Sequence, residues 1–519
     1  MTFARVHVHL SLVVVLLVGR ALGEDWPQLQ HDPAHTGRST DEIAPPYRVR
    51  WMWCGAEGTL RNSNSVPGSI GWTNDLRSRD GYSFPLPDPV SHTLALGAQP
   101  VVVSNRVFIG DLQGRVYGIS AYDGGTLWTN TIGGPVGYAA AVAGSNVLFA
   151  SILGRVAAYD CASGALRWAA RLPRPCVSAP CIIGTRVMVT CLDGRLRAFD
   201  VFTGAPLWTS PWLGAPLQGG VAADATAAYL GADNLWFYKL ALADGSVLAS
   251  NRLFGSSFRL LWPVIYTNLV LVRTCSALVV GSEYIMENVM RDSSNLTNEA
   301  DNILRWMRGD TNGGAWPDSY SNDWRHLFAL RTSDLQEPFV IPNGPIEGCG
   351  MPAEPPCIDQ QGRILTWWKT RYPTLLPEGG IFGSLYGCDI SGINPATGRR
   401  VLIQNAARAN IMRETDNLFA LSVGGNYVYL RQDFRGTQCI HLPSSDAVFM
   451  QTQLRYYDGG AMTQVQICYI NGDLSQSGPE PLIPDTPEPT LQARVAPTIA
   501  GNKLFLTEEY CVTCIEHEP

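Results

Sequence analysis

The chain has 519 residues, 16% of them charged and 10% aromatic, with a formal net charge of −7 and 51 glycines. This balance excludes a disordered or collagen-like chain, and the acidic surface makes nucleic acid or an anionic lipid face a poor match as the main partner. All 13 cysteines lie from Cys54 onward; in an oxidising compartment some would pair, and the odd count leaves at least one unpaired or intermolecular.

In chain order, residues 1–23 read as a secretory signal. Arg5 supplies the positive start, residues 10–19 the apolar core, and Ala21-Leu22-Gly23 a small-residue cleavage site. The apolar core is too short to span a bilayer. Its removal takes Arg5 and Arg20 and no acid, moving the charge from −7 to −9, and leaves residues 24–519 as one expected domain. No cysteine follows the cleavage site, so the expectation is a secreted or periplasmic protein without a lipid tether. The next segment carries Asp25, Trp26, His31, Asp32 and His35. A metal site there would need both imidazoles on one side, and Pro33 between them opposes the helix that would do it. The segment is expected to serve structure instead. Arg48 to Trp53 then alternates as a strand should.

A repeat follows. Trp128, Trp168 and Trp208 recur every 40 residues, as do Val107, Val147 and Val187, and the pairs Gly114-Arg115, Gly154-Arg155 and Gly194-Arg195. Each unit holds four apolar runs separated by Gly, Asn and Asp turns, which predicts a four-stranded antiparallel meander. Such a sheet cannot bury both faces alone. Radial stacking of these sheets makes a β-propeller. The closing part of each unit places Gly124, Gly164 or Gly204 four residues before Trp128, Trp168 or Trp208. The glycine permits a left-handed turn, and the tryptophan offers a large apolar plate with one N–H to satisfy. These six residues are expected to dock one blade on the next.

The closing segments resemble the docking motif of pyrroloquinoline-quinone (PQQ) type propeller repeats. That superfamily includes quinoprotein alcohol dehydrogenases and the outer-membrane assembly factor BamB. The resemblance implies either a scaffold or a dehydrogenase holding PQQ on a Trp floor beneath an adjacent-cysteine disulfide, with calcium on carboxylate and amide ligands and an Asp base. This chain has no Cys-Cys pair and no CxxCH haem motif, so no catalytic residue carries over. Zinc-protease, serine-hydrolase and phosphate-loop motifs are also missing from the sequence.

Later units decay. In the fourth, Gly245 is kept and Ala249 stands in the Trp position; the fifth ends at Phe339 with Phe there; the sixth closes through Gly398 to Leu402; the seventh spans about 417–449. The chain ends with a unit that stops before its Trp strand. Residues 48–53 would complete that sheet and remove the exposed edges. The expectation is an all-β, eight-bladed propeller closed by an N-terminal strand, with seven blades as the competitor.

Insertions are expected at about 283–325, with a helix over 298–307, and at 366–383 and 456–489. They carry Trp306, Trp316, Trp324, Trp367 and Trp368, candidates for a sugar or peptide platform or simply for local packing. Cys511-Val512-Thr513-Cys514 reads as structural cysteine, and Asp310 to Gly314 lacks the ligands of a calcium loop. The sequence therefore reads as a scaffold that needs no cofactor and binds another secreted or envelope protein. The alternative is a PQQ- and calcium-dependent oxidoreductase; a third reading is carbohydrate binding.

Overall fold

The computed structural model describes residues 23–56, 58–62, 64–67, 82–85, 92–95, 97–275, 327–339, 341, 355–375, 381–398, 400–408, 418–432, 436–443, 447–457, 461–471, 495–507 and 511–518. Among these residues every regular element is a strand, and the strands form eight sheets. The protein is an eight-bladed β-propeller.

The first blade shows the rule. Strands Val101–Val103, Arg106–Gly110, Arg115–Ser120 and Thr126–Thr131 pair in sequence order, each antiparallel to the last. The pairing slips by one residue between Gly118 and Ile119, just before Trp128. The same slip falls between Ala158 and Tyr159 in the second blade and between Ala198 and Phe199 in the third. A bulge of this kind bends the strand and re-aims the next side chain, and here that side chain is the docking tryptophan.

Blades two, three and four, beginning at Ala141, Cys181 and Val221, repeat the pattern. Blade five has three strands among the described residues, ending with Leu327–Arg331. The eighth sheet joins the chain's two ends. Strands Thr498–Ala500, Lys503–Thr507 and Val512–His517 are completed by Tyr47–Trp53, with Thr59–Arg61 added outside. Its inner strand lies next to that of blade one, which closes the ring.

The core lies between blades. Leu148, Val156 and Trp168 of blade two are buried in one cluster with Val187, Val189 and Phe199 of blade three. Met188, Leu196 and Ala198 on the other face of blade three pack with Val221, Leu230 and Leu240 of blade four. Each fully buried side chain of this size stabilises by about 1.5–3 kcal/mol, so no blade can shed its neighbour without exposing a whole face.

Two of the expected insertions differ from their reading as loops. Residues 366–383 lie largely within a long hairpin of blade six, Ile364–Leu375 paired with Ile381–Ile393. β-branched and aromatic residues extend the ladder past the length of a normal propeller strand. In the third, Tyr456 and Tyr457 end strand Ala447–Tyr457, and Ala461–Asn471 and Tyr82–Pro85 widen the sheet of blade seven. The insertion at 283–325, its expected helix and the proline-rich stretch 479–484 lie outside the described residues.

Candidate functional site

Residues 24–37 run across the inner strands of the blades in turn. Trp26 exchanges two backbone hydrogen bonds with Val102 of blade one, and Val142 of blade two donates to the Pro27 carbonyl. The Gln28 amide bridges both backbone groups of Ile182 in blade three. Ala223, Ile265, Ile358 and Val423 donate to the carbonyls of Pro33, Ala34, Thr36 and Gly37 in blades four to seven, at 2.7 to 2.9 Å. Gly501 of blade eight donates to the Glu24 carbonyl at 3.0 Å. One strap thus satisfies backbone groups that the innermost strands would otherwise leave unpaired.

The strap's two histidines do separate jobs. His35 is buried, with Nδ1 3.2 Å from the Pro263 carbonyl and its ring edge-on to Trp262; burial pushes its pKa down to about 4. His31 packs edge-on to Trp26 and lies 3.3 Å from a Glu24 carboxylate oxygen. Asp32 accepts from the backbone N–H and hydroxyl of Thr36. Among the described residues no three His, Cys, Asp or Glu side chains gather closely enough to hold a metal ion.

The six docking residues of the repeat meet at the blade seams. The Trp128 indole N–H donates to the Cys161 carbonyl of the next blade at 3.0 Å, Trp168 to Val201 at 3.0 Å and Trp208 to Leu242 at 2.9 Å. Trp51 of the closing strand does the same to Ala121 at 3.2 Å. A Cβ added to Gly164 would lie 2.6 Å from the Trp128 ring, and one on Gly204 would lie 2.5 Å from Trp168. Gly124 and Gly245 stand in the same relation to Trp51 and Trp208. In each case the turn glycine leaves room for the indole of the preceding blade.

A different set of aromatics faces solvent. The connections between second and third strands, and between one blade and the next, share one face of an antiparallel meander. On that face Leu112, Leu153, Trp212, Trp236, Phe254 and Leu260 are exposed, Trp212 by 63%. Trp212 precedes Leu213, which occupies the position of Ile132 and Leu172: all three donate a backbone hydrogen bond to the glycine carbonyl of the 2–3 turn. Blades one and two place Thr131 and Arg171 where blade three has Trp212. Likewise Trp236 stands where earlier blades have Arg115, Arg155 and Arg195, its carbonyl accepting from the Ala232 N–H as those of Arg115 and Arg155 do from Asp111 and Ser151. The two tryptophans flank one junction. A Cβ on Gly214 would lie 2.6 Å from the Asn234 amide, and the Tyr238 hydroxyl donates to the Leu213 carbonyl at 2.8 Å. A position-by-position alignment of the repeats carries the signal for both substitutions.

Of the other candidates, Trp306, Trp316 and Trp324 lie outside the described residues. Trp367 and Trp368 pair with Ile390 and Asp389 in the long hairpin of blade six. Cys511 does not face Cys514 but Cys54, with the two sulfurs 3.0 Å apart. The Gln99 amide serves Trp26, Gln30 and Ala496, while Asp111 and Asp359 hold Arg115 and Arg363.

Residues 56–140, 113–259 and 192–286 match the family model described as outer membrane protein assembly factor BamB. Over residues 56–286 the repeats match PQQ-like propeller repeats. No curated protein matches the chain. Among solved structures, BamB from Moraxella catarrhalis is 13% identical, with 84% of this chain and 98% of that one covered and a TM-score of 0.48. A quinohemoprotein alcohol dehydrogenase from Comamonas testosteroni is 12% identical, with 90% and 82% covered and a TM-score of 0.48. One from Pseudomonas putida HK5 is 12% identical, with 90% and 83% covered and a TM-score of 0.46.

Proposed function

We propose that this propeller is a non-catalytic, protein-binding scaffold of the cell envelope or secreted fraction, and that it engages its partner through the exposed apolar face of blades three and four. The observation that carries the reading is substitution within a repeat. Positions that other blades fill with Thr and Arg hold Trp212 and Trp236, and Trp212 rests one edge on Gly194 while 63% of it stays exposed. Exposed apolar surface of this kind marks interaction sites, and tryptophan is enriched at the residues that dominate binding energy. A rigid ring holds them in fixed geometry, which lowers the entropic cost of association.

The test is a photo-crosslinking side chain placed at 153 in the native host, in the otherwise unchanged protein and in the Trp212→Ala/Trp236→Ala protein. Loss of the crosslinked protein in the double variant, with its melting curve unchanged, supports the assignment. Capture that survives it, but not deletion of residues 283–325, moves the contact to the insertion. Titration with PQQ, with and without calcium, separates the oxidoreductase alternative: calcium-dependent binding at micromolar concentration or tighter would overturn the scaffold reading.

A further inference from the structure

Asp41 is buried, 8% exposed, and forms no salt bridge to a described residue. Its two oxygens accept the backbone N–H of Glu24 at 3.1 and 3.0 Å, and one also accepts the N–H of Asn502 at 3.0 Å. A buried carboxylate served only by backbone amides lacks a counter-charge, which is costly. Glu24 itself is held at every polar atom: its carbonyl by Gly501, its carboxylate by the Ser39 hydroxyl and by Thr40, and beside His31. Immediately upstream there is room only for glycine. A Cβ on Gly23 would lie 2.5 Å from Gly501 Cα and 2.7 Å from Asp41 Oδ2.

We propose that Asp41 is the receptor for a new N-terminus created by cleavage between Gly23 and Glu24. A leader peptidase would add water across that amide. The Gly23 carbonyl leaves as a carboxylate on the leader, and the Glu24 nitrogen takes up protons to become an ammonium. The ammonium forms where the Glu24 N–H now sits, within 3.1 Å of both Asp41 oxygens, and turns an uncompensated buried charge into a pair. The other charged groups nearby are the Glu24 carboxylate, His31, Glu42 and Lys503; Lys503 donates to the Gly501 carbonyl at 3.0 Å, and Glu42 accepts from Asn426. Cleavage thereby frees the amine that ties the strap to the last blade once that blade is in place.

The experiment uses the secreted full chain. N-terminal sequencing should begin at Glu24. Reductive dimethylation near neutral pH should label that amine at least about tenfold more slowly than the same amine in Asp41→Asn, since one pKa unit is a tenfold change in the reactive neutral form. A chain made with one acetylated residue ahead of Glu24 should melt at lower temperature. The gap should be full below the ordinary amine pKa of about 8 and close as pH rises through the elevated folded value. Should Asp41→Asn not fold, the acetylated chain alone decides. A mature start elsewhere, equal labelling in the two proteins, or an unchanged melting curve for the acetylated chain would overturn the proposal.

A second observation is independent of the first. Cys54, at the end of the closing strand, and Cys511, at the start of its neighbour, are buried with their sulfurs 3.0 Å apart and 457 positions apart in sequence. We infer that oxidation links them and staples the ring shut. The two thiols lose two protons and two electrons to a disulfide such as oxidised glutathione, which is reduced to two thiols as the Cys54–Cys511 bond forms. Refolding in a glutathione redox buffer, followed by digestion without reductant, should yield one peptide joining the two cysteines, and Cys54→Ser should abolish it. Recovery of both as free thiols under oxidising refolding would sink the idea.

Discussion

The seam between blades two and three and the seam between blades four and five solve one packing problem in opposite ways. In the first, the Trp168 plate fills the gap and Gly204 withdraws from it, the indole tied to the Val201 carbonyl. In the second, Ala249 has withdrawn and Leu335 fills the gap. Leu335 stands in the glycine position: its N–H bonds to the Arg331 carbonyl at 2.9 Å as that of Gly204 does to Asp200. It keeps the left-handed turn at φ +59° and is fully buried, in the cluster against which Ala249 packs. What the propeller preserves across a seam is filled volume and turn geometry, and the side of the gap that supplies the volume is free to change. The seam between blades five and six sits between the two, with the Phe339 ring against Gly398.

The largest effect is expected at Trp168. Trp168→Ala should cost about 3–5 kcal/mol in guanidinium unfolding. Gly204→Leu alone should cost about 1–3 kcal/mol from overpacking, with further strain from its positive φ. Combined, they copy the Ala249–Leu335 seam, and the double variant should be more stable than the sum of the two losses predicts. Strict additivity would mean the two sides of the seam are not exchanging volume.

A loss of intermediate size tests the strap. His35 has a folded pKa near 4, against an ordinary value of 6.5. The folded state therefore binds its proton more weakly than the unfolded chain does. The stability it protects is complete above about pH 6.5 and is lost as pH falls toward 4, up to about 3 kcal/mol. Denaturation midpoints measured across that window should show the decline, and His35→Gln should flatten it.

The smallest expected change in stability is at Trp212. Trp212→Ala should shift unfolding by no more than about 0.5 kcal/mol, as for surface sites in general, while Trp168→Ala unsettles the fold. A large stability loss at Trp212 would show that its exposed ring belongs to the seam system.

The blades were legible because their signals are local. Gly, Asn and Asp turns, the 40-residue period and the Gly-to-Trp spacing each act within a few residues of where they are read, so blades one to three and the closing strand at Trp51 could be placed from the sequence. Leu335 was not legible as a docking residue, since a leucine with positive φ breaks the rule that identifies the turn. The long hairpin of blade six is masked in the sequence by Pro373 and the Pro/Gly pair of residues 377 and 379, which signal a break where the strand-forming residues continue the ladder. The strap's course was also hidden: its partners are backbone groups as far as 477 positions away, and backbone groups leave no trace in composition. Trp212 and Trp236 were visible as residues, but their exposure depends on which polar side chains the neighbouring repeats would have placed there.

The strap also dictates an order of assembly. Glu24 waits for Gly501, and Tyr47–Trp53 waits for Val512–His517, so the earliest part of the folded chain cannot reach its final place until nearly the last residue has been made. Contacts of such sequence separation close slowly. Growing blades meanwhile present unpaired strand edges and bare apolar faces, the features that lead nascent chains to aggregate. A ring built this way gains from a holding chaperone while it is incomplete, and its abundance in the cell should respond to the loss of that chaperone before it responds to any single change within a blade.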